Sequence, residues 1–378
     1  MPAPVCVALT ALSLRDLRNY ATLELVFDAA LVVLTGPNGA GKTNLLEAIS
    51  LLAPGRGLRR AAFEEIVRNG SDSGWTVAAT LKRDSGETRL GTALMSAAPG
   101  EARTRRVRIN GATAPSADAL LDHLRILWLT PSMDGLFTGP PGERRRFLDR
   151  LVLTVDPGHA RRARDFERLL AQRNRILEEG GDAAWLDAVE AQLAAHAVAV
   201  ALARGETAAL LSARMERDAG AFPAGRISVS SDFEGMLAGQ SAAEAELYYR
   251  DALAGARAAD RAAGRTLQGP HRSDVEVVLA AKDAPAAQSS TGEQKALLIG
   301  LVLAHAEIVS EMTGMRPVLL LDEVTAHLDP MRRAALFERL AALRSQAFLT
   351  GTDRALFADL PRDSAYYRVS DGTVVRTD

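Results

Sequence analysis

The chain has 378 residues, enough for about two domains, and an apolar share of 47% that can build a substantial core. Its net charge of −2 excludes a globally basic protein, so any surface for nucleic acid must be local. Cys6 is the single cysteine, which excludes an internal disulfide, and the scattered histidines never pair at ligand spacing, which argues against a zinc site. There is no secretion-type leader pattern, and no apolar run reaches the roughly 20 residues of a bilayer span. The expectation is a cytoplasmic protein with no membrane partner.

Val5 to Leu14 and Thr22 to Phe27 alternate as strands, with Arg18-Asn19-Tyr20 as the turn between them. Leu31-Val32-Val33-Leu34 is a short, branched apolar run, the pattern of a buried strand. It leads into Gly36-Pro37-Asn38-Gly39-Ala40-Gly41-Lys42-Thr43, which reads G-x-x-x-x-G-K-[ST], and then into a helical pattern from Asn44 to Leu52. Strand, loop and helix is the context that a phosphate-binding loop requires. Glycines let backbone N–H groups close round phosphate oxygens at the positive end of the helix. Lys42 would reach the β- and γ-phosphates of ATP, Thr43 would hold Mg2+, and Asn44 adjoins them. The basic loop Gly55-Arg56-Gly57-Leu58-Arg59-Arg60 is either solvated or returns one arginine to the phosphates.

A short helix at Phe63 to Arg68 precedes strands at Trp75–Lys82, Thr88–Met95 and Thr104–Ile109, ended by the hairpin-type turn Asn110-Gly111. They form an antiparallel layer beside the loop. From Asp118 the character turns helical, with periodic stretches over 143–153, 158–179, 184–218 and 241–263. The α/β pattern returns from Gly269 with a strand at Val275–Leu279, a long apolar helix from Gly292, the strand Val318–Leu321 and a terminal hairpin. The reading is an α/β head formed by residues 1–117 and 265–378, with an inserted helical lobe or short arm at 118–264.

Asp322 and Glu323 fall at the C-terminal end of the apolar run Val318 to Leu321, where open α/β sheets bind ligands. Asp322 would hold Mg2+, and Glu323 would orient or deprotonate the attacking water. Ser289-Ser290-Thr291-Gly292-Glu293-Gln294-Lys295 resembles the signature L-S-G-G-Q-Q of ABC-type ATPases, with Ser290 and Gly292 in its serine and glycine places. Ser290 with Glu293 is also a capping box, and both readings can hold together. The resemblance implies an ATP-dependent homodimer in which Ser290, Gly292 and Gln294 of one copy close over the nucleotide of the other. Ala326-His327-Leu328-Asp329 would be the adjoining D-loop.

Within that superfamily the chain resembles the RecF family, of the SMC/RecF branch. The resemblance rests on Leu14-Arg15-Asp16-Leu17-Arg18-Asn19-Tyr20, on Gly36 to Leu52, and on Gly142-Glu143-Arg144-Arg145-Arg146-Phe147-Leu148-Asp149-Arg150. Gln172-Arg173-Asn174 and Gly269-Pro270-His271-Arg272-Ser273-Asp274 extend it. The insert is too short for the long coiled coils of SMC proteins. The chain departs from the family pattern at Glu323, Ser273 and the S-T-G-E-Q signature. The resemblance implies a weak, DNA-stimulated ATPase of recombinational repair that clamps duplex DNA at single-strand gaps, with RecO and RecR as partners and RecA loading as the outcome. The local basic stretch offers Arg144, Arg145, Arg146, Arg161, Arg162 and Arg164 for DNA phosphates, and Arg103, Arg105, Arg106 and Arg108 form a second one. An ATPase subunit that energises a membrane transporter is the alternative, and a chromosome-organising clamp with negligible turnover is a third reading.

Overall fold

The computed structural model describes residues 4–84, 86–95, 103–218, 220–326 and 328–377. Two compact units divide the chain: Met1–Asp134 with Thr291–Asp378, and Gly135–Ser290.

The first unit opens with β1 (Ala8–Leu17), β2 (Tyr20–Val26), β3 (Leu31–Thr35) and helix α1 (Lys42–Ser50). β4 (Gly74–Arg83), β5 (Gly86–Met95), β6 (Arg105–Ile109), β7 (Ala112–Thr113) and β8 (Ile126–Leu129) follow. β1, β2, β4, β5, β6 and β7 make one antiparallel sheet in the order β2-β1-β4-β5-β6-β7. Its strands alternate buried and exposed residues because only one face meets the core.

The second unit contains α2 (Pro141–Val155), α3 (His159–Glu179), α4 (Ala183–Arg217), β9 (Gly225–Ser230), α5 (Asp232–Leu237), α6 (Ala242–Ala263), β10 (Asp274–Leu279) and β11 (Ala284–Pro285). Phe166, Leu169, Arg173, Ile176 and Leu177 recur at helical spacing on α3 and are buried, against a core shared with α4 and α6. β10 does not join a central α/β sheet, as the returning α/β pattern suggested. It pairs antiparallel with β9 and β11. Strand pattern alone names no partner.

The chain then returns to the first unit through α7 (Thr291–Thr313), β12 (Val318–Leu321), α8 (Pro330–Leu343), β13 (Ala347–Gly351), β14 (Ala365–Ser370) and β15 (Thr373–Arg376). These strands build the central sheet in the order β15-β14-β3-β13-β12-β8, parallel except for the β14–β15 hairpin. β8 corrects the helical expectation after Asp118: Ile126-Leu127-Trp128-Leu129 is wholly buried and pairs with β12. A second correction concerns membrane-length apolar segments. α4 and α7 are long and apolar enough to cross a bilayer, yet 50% and 72% of their apolar windows are buried inside the protein. α7 packs against β8 and α8, so its apolar surface is accounted for by the core. The fold is mixed α/β, as the strand and helix patterns implied.

Candidate nucleotide site

β3 lies between β14 and β13 in the sheet, and Leu31 to Leu34 are buried on both of its faces. It therefore delivers the loop that follows to the C-terminal edge of the sheet, with α1 starting at Lys42. Close approach dictates Gly36: a Cβ there would sit 2.2 Å from the carbonyl oxygen of Val369 on β14. Gly41 caps α1 at φ 112, a backbone region that side chains disfavour. The Lys42 Nζ donates to the carbonyl oxygens of Gly36 at 2.7 Å and Pro37 at 2.9 Å, which fixes the ammonium over its own loop. Burial pulls the Lys42 pKa below its ordinary value, while Glu323 and Asp322 pull the other way.

The loop is held from outside by the turn between β1 and β2. Asn19 Nδ2 donates to Ala40 O at 3.2 Å, the Tyr20 hydroxyl donates to Gly41 O at 3.0 Å, and Asn44 Nδ2 donates to Asn19 Oδ1 at 2.7 Å. Arg18 grips Glu47 of α1 through Nε at 2.8 Å and Nη2 at 2.9 Å. Arg18-Asn19-Tyr20 thus anchors the phosphate-loop candidate, a role that its sequence pattern does not announce. Arg59 is the arginine of its loop that returns: Nη1 donates to Asn44 Oδ1 at 2.6 Å and to Glu47 Oε2 at 3.0 Å.

β12 brings the acids to the same sheet edge. The Thr43 hydroxyl lies 3.0 Å from both oxygens of Asp322. β13 runs between β3 and β12, and its Thr350 is fully buried. Thr350 Oγ1 donates to Asp322 Oδ1 at 2.7 Å and accepts the Glu323 backbone N–H at 2.9 Å. Glu323 adopts φ 49, an uncommon conformation for a non-glycine residue and one that marks a constrained position. Asp322 is 5% exposed and has no cationic side chain within 4 Å among the described residues. A buried carboxylate with no cation at ion-pair distance among the described residues, facing a threonine hydroxyl, fits a hard divalent ion that takes its other oxygen ligands from phosphate and water. Among the described residues no cluster of three or more His, Cys, Asp or Glu could hold a metal unaided.

A cavity of about 190 Å³ joins these parts, lined by Asn38, Gly39, Gly41, Lys42, Thr43, Asn44, Arg59 and Glu323. The structure therefore brings the loop and the acids together. Ser290, Gly292 and Gln294 are not in that lining: Ser290 is exposed and Gln294 is buried in the first turn of α7. Lys295 on the same turn meets Asp134 at 3.5 Å and the Glu323 carbonyl at 3.5 Å. The D-loop residue His327 lies outside the described residues.

The arginine candidates separate by environment. Arg144 forms a two-pronged pair with Asp274, at 2.8 and 2.7 Å, and also donates to the carbonyls of Phe137 and Gly139. Arg145 donates to Ser273 O at 2.6 Å, and Arg162 is paired with Asp156. Arg146, Arg161 and Arg164 are exposed. Arg173, which belongs to the same basic stretch by sequence, is a core residue with 0% exposure. It bonds Glu190 at 2.8 Å, Asp260 at 2.7 Å, Thr266 at 2.7 Å and the Leu253 carbonyl at 2.8 Å.

Residues 8–374 match the family described as the RecF/RecN/SMC N terminal domain. The chain is 55% identical to the DNA replication and repair protein RecF of Allorhizobium ampelinum over 96% of both chains, and 52% identical to that of Mesorhizobium japonicum over 99% of both. The chain belongs to the RecF family. A solved structure of the recombination mediator protein RecF-ATPrS in the RecFOR pathway superposes with a TM-score of 0.87 over 100% of both chains, at 23% identity. The Smc head domain of Pyrococcus furiosus follows with a TM-score of 0.55 at 17% identity, over 98% of this chain and 96% of that one. The fold is therefore shared with the solved RecF and with the Smc head domain.

Proposed function

We propose that this RecF-family chain is an ATP-driven switch of DNA replication and repair. The observation that carries the reading is the convergence of Lys42, Thr43, Asp322 and Glu323 at one sheet edge, with Thr43 and Asp322 3.0 Å apart although 279 residues separate them in sequence. Residues Gly36 to Asn44 would cradle the triphosphate of ATP. Thr43 and Asp322 would hold Mg2+, which supplies charge neutralisation at the phosphates when bound. Lys42, fixed over its loop, would meet the β- and γ-phosphates. Glu323, held by Thr350, would orient the attacking water.

The resemblance of Ser290, Gly292 and Gln294 to the ABC signature supports a composite site, completed by those residues of a second copy. Nucleotide would then join two chains into a homodimer around duplex DNA at a single-strand gap, and slow hydrolysis would release it. Arg146, Arg161 and Arg164 are the exposed candidates for phosphate contact. RecO and RecR as partners, RecA loading and a cytoplasmic location follow from family membership and belong to the proposal. The test is ATP turnover with and without gapped duplex DNA, for the wild type and Lys42→Arg. DNA should raise turnover, and the variant should lose it. A wild type whose binding and turnover ignore DNA would refute the reading. In sizing experiments with ATP, Glu323→Gln should accumulate as a dimer, and a variant that stays monomeric would count against the composite site.

A further inference from the structure

The loop 55–60 has one end in each of two cavities. Arg59 lines the nucleotide cavity. Gly55 and Arg56 line a second cavity, of about 440 Å³, whose other walls include Phe63, Arg105, Arg106 and Ser116. Three of its lining residues are arginines and none is acidic. Arg56 and Arg106 are exposed, and neither side chain has a hydrogen bond or ion pair among the described residues. A concave wall with three guanidinium groups and no carboxylate holds unbalanced positive potential.

Arg105 shows how this wall connects to the first site. Its Nε donates to Thr92 Oγ1 at 2.7 Å and its Nη1 to Gly55 O at 2.7 Å. Its Nη2 donates to the carbonyls of Leu51 and Ala53. These carbonyls lie just past the C-terminal end of α1, where a cation complements the helix dipole. α1 is the helix whose other end bears Lys42 and Thr43. Among the described residues Arg105 has no carboxylate partner, and burial pulls its pKa down to about 10. A bound anion would relieve that penalty.

We propose that the second cavity binds a backbone phosphate of a nucleic acid through Arg56 and Arg106, and that the loop 55–60 transmits its occupancy to the nucleotide cavity through Arg59. The idea rests on the reading of the chain as an ATP switch on DNA and gives that reading a sensing element. Planar guanidinium forks suit phosphate. Arg106 and Arg108 lie on the same face of β6, about 7 Å apart along the strand, and Arg108 is also exposed. The positive surface thus continues beyond the cavity, which suits an extended polyanion better than one small ion.

The test compares wild type, the double variant Arg56→Ala/Arg106→Ala and the control Arg362→Ala, an exposed arginine outside both cavities. Binding of a fluorescent gapped duplex is followed over a range of salt, with ATP turnover measured in parallel. The double variant should lower the slope of log affinity against log salt by about two. It should also lose the response of turnover to DNA and keep its turnover without DNA, whereas the control should match wild type throughout. A double variant with the wild-type slope and the wild-type DNA response overturns the proposal and leaves the ATP-switch reading standing. A wild type that binds no DNA removes both. Equilibrium dialysis with an ATP analogue separates the other source of phosphate: two nucleotides per chain, falling to one in the double variant, would assign the cavity to free nucleotide and overturn the backbone reading.

Discussion

Thr350→Val is the sharpest test of how the acidic pair is held. The substitution keeps the shape of the side chain and removes one hydroxyl from a residue with 0% exposure. Two bonds go with it: the donation to Asp322 Oδ1 at 2.7 Å and the acceptance of the Glu323 N–H at 2.9 Å. A hydrogen bond to a charged group contributes about 1.5–3 kcal/mol, and an orphaned buried N–H costs about 1–3 kcal/mol. If about 1.4–2.7 kcal/mol of this falls on the geometry of Glu323 during hydrolysis, turnover drops by about 10- to 100-fold. Nucleotide affinity should change much less, because the loop 36–43 does not bond Thr350 directly. Thr350→Ser retains the hydroxyl and should recover most of the rate. The assay is steady-state ATP turnover alongside titration with a fluorescent nucleotide. Turnover of Thr350→Val within twofold of wild type would refute the reasoning, as would equal losses in the Ser and Val variants.

Other perturbations test the supporting structure. Arg173→Met should destabilise the protein by about 3–5 kcal/mol, because it takes the guanidinium from the buried Asp260 carboxylate and leaves Glu190 with Arg257 alone; the shift of a urea unfolding midpoint checks this. Gly36→Ala should disrupt nucleotide binding and lower the melting temperature, since the new methyl meets the Val369 carbonyl at 2.2 Å. At Asp149, burial pushes the pKa up, but hydrogen bonds from His159 and Arg204 and their charges outweigh it and hold it at about 2. A depressed folded pKa contributes stability above the unfolded value of about 3.9, and that stability is lost as pH falls towards 2. The contribution is on the order of 2 kcal/mol, and Asp149→Asn should remove this part of the acid dependence of unfolding.

The parts of the site that were legible in the sequence are those written in contiguous residues. The strand Leu31 to Leu34, the glycine loop and α1 form one uninterrupted stretch whose glycine spacing and periodicity are local properties. The same holds for the buried run before Asp322 and the hairpin turn Asn110-Gly111, with φ of 50 and 85. Membership in the RecF family was readable for the same reason, through short motifs such as Arg18-Asn19-Tyr20.

Charge partners were not legible, because a guanidinium looks alike in sequence whether it faces solvent or a buried acid. Arg173 and Arg164 sit on one helix, yet the first is enclosed by Glu190 and Asp260 and the second is exposed. Packing of α3 against α4 and α6 decides this, and it depends on residues far apart in the chain.

By itself, then, the sequence determined the α/β class, the order of most elements and the two motifs, since backbone preference and hydrophobic period act over a few neighbouring residues. Only the tertiary structure decided that β13 lies between β3 and β12, and so that Thr350 joins Asp322 to Glu323. It alone placed Arg59 at the candidate nucleotide cavity and Arg144 against Asp274. Strand order and ion pairing are settled when distant segments compete for the same buried surface, and no local pattern records the outcome of that competition.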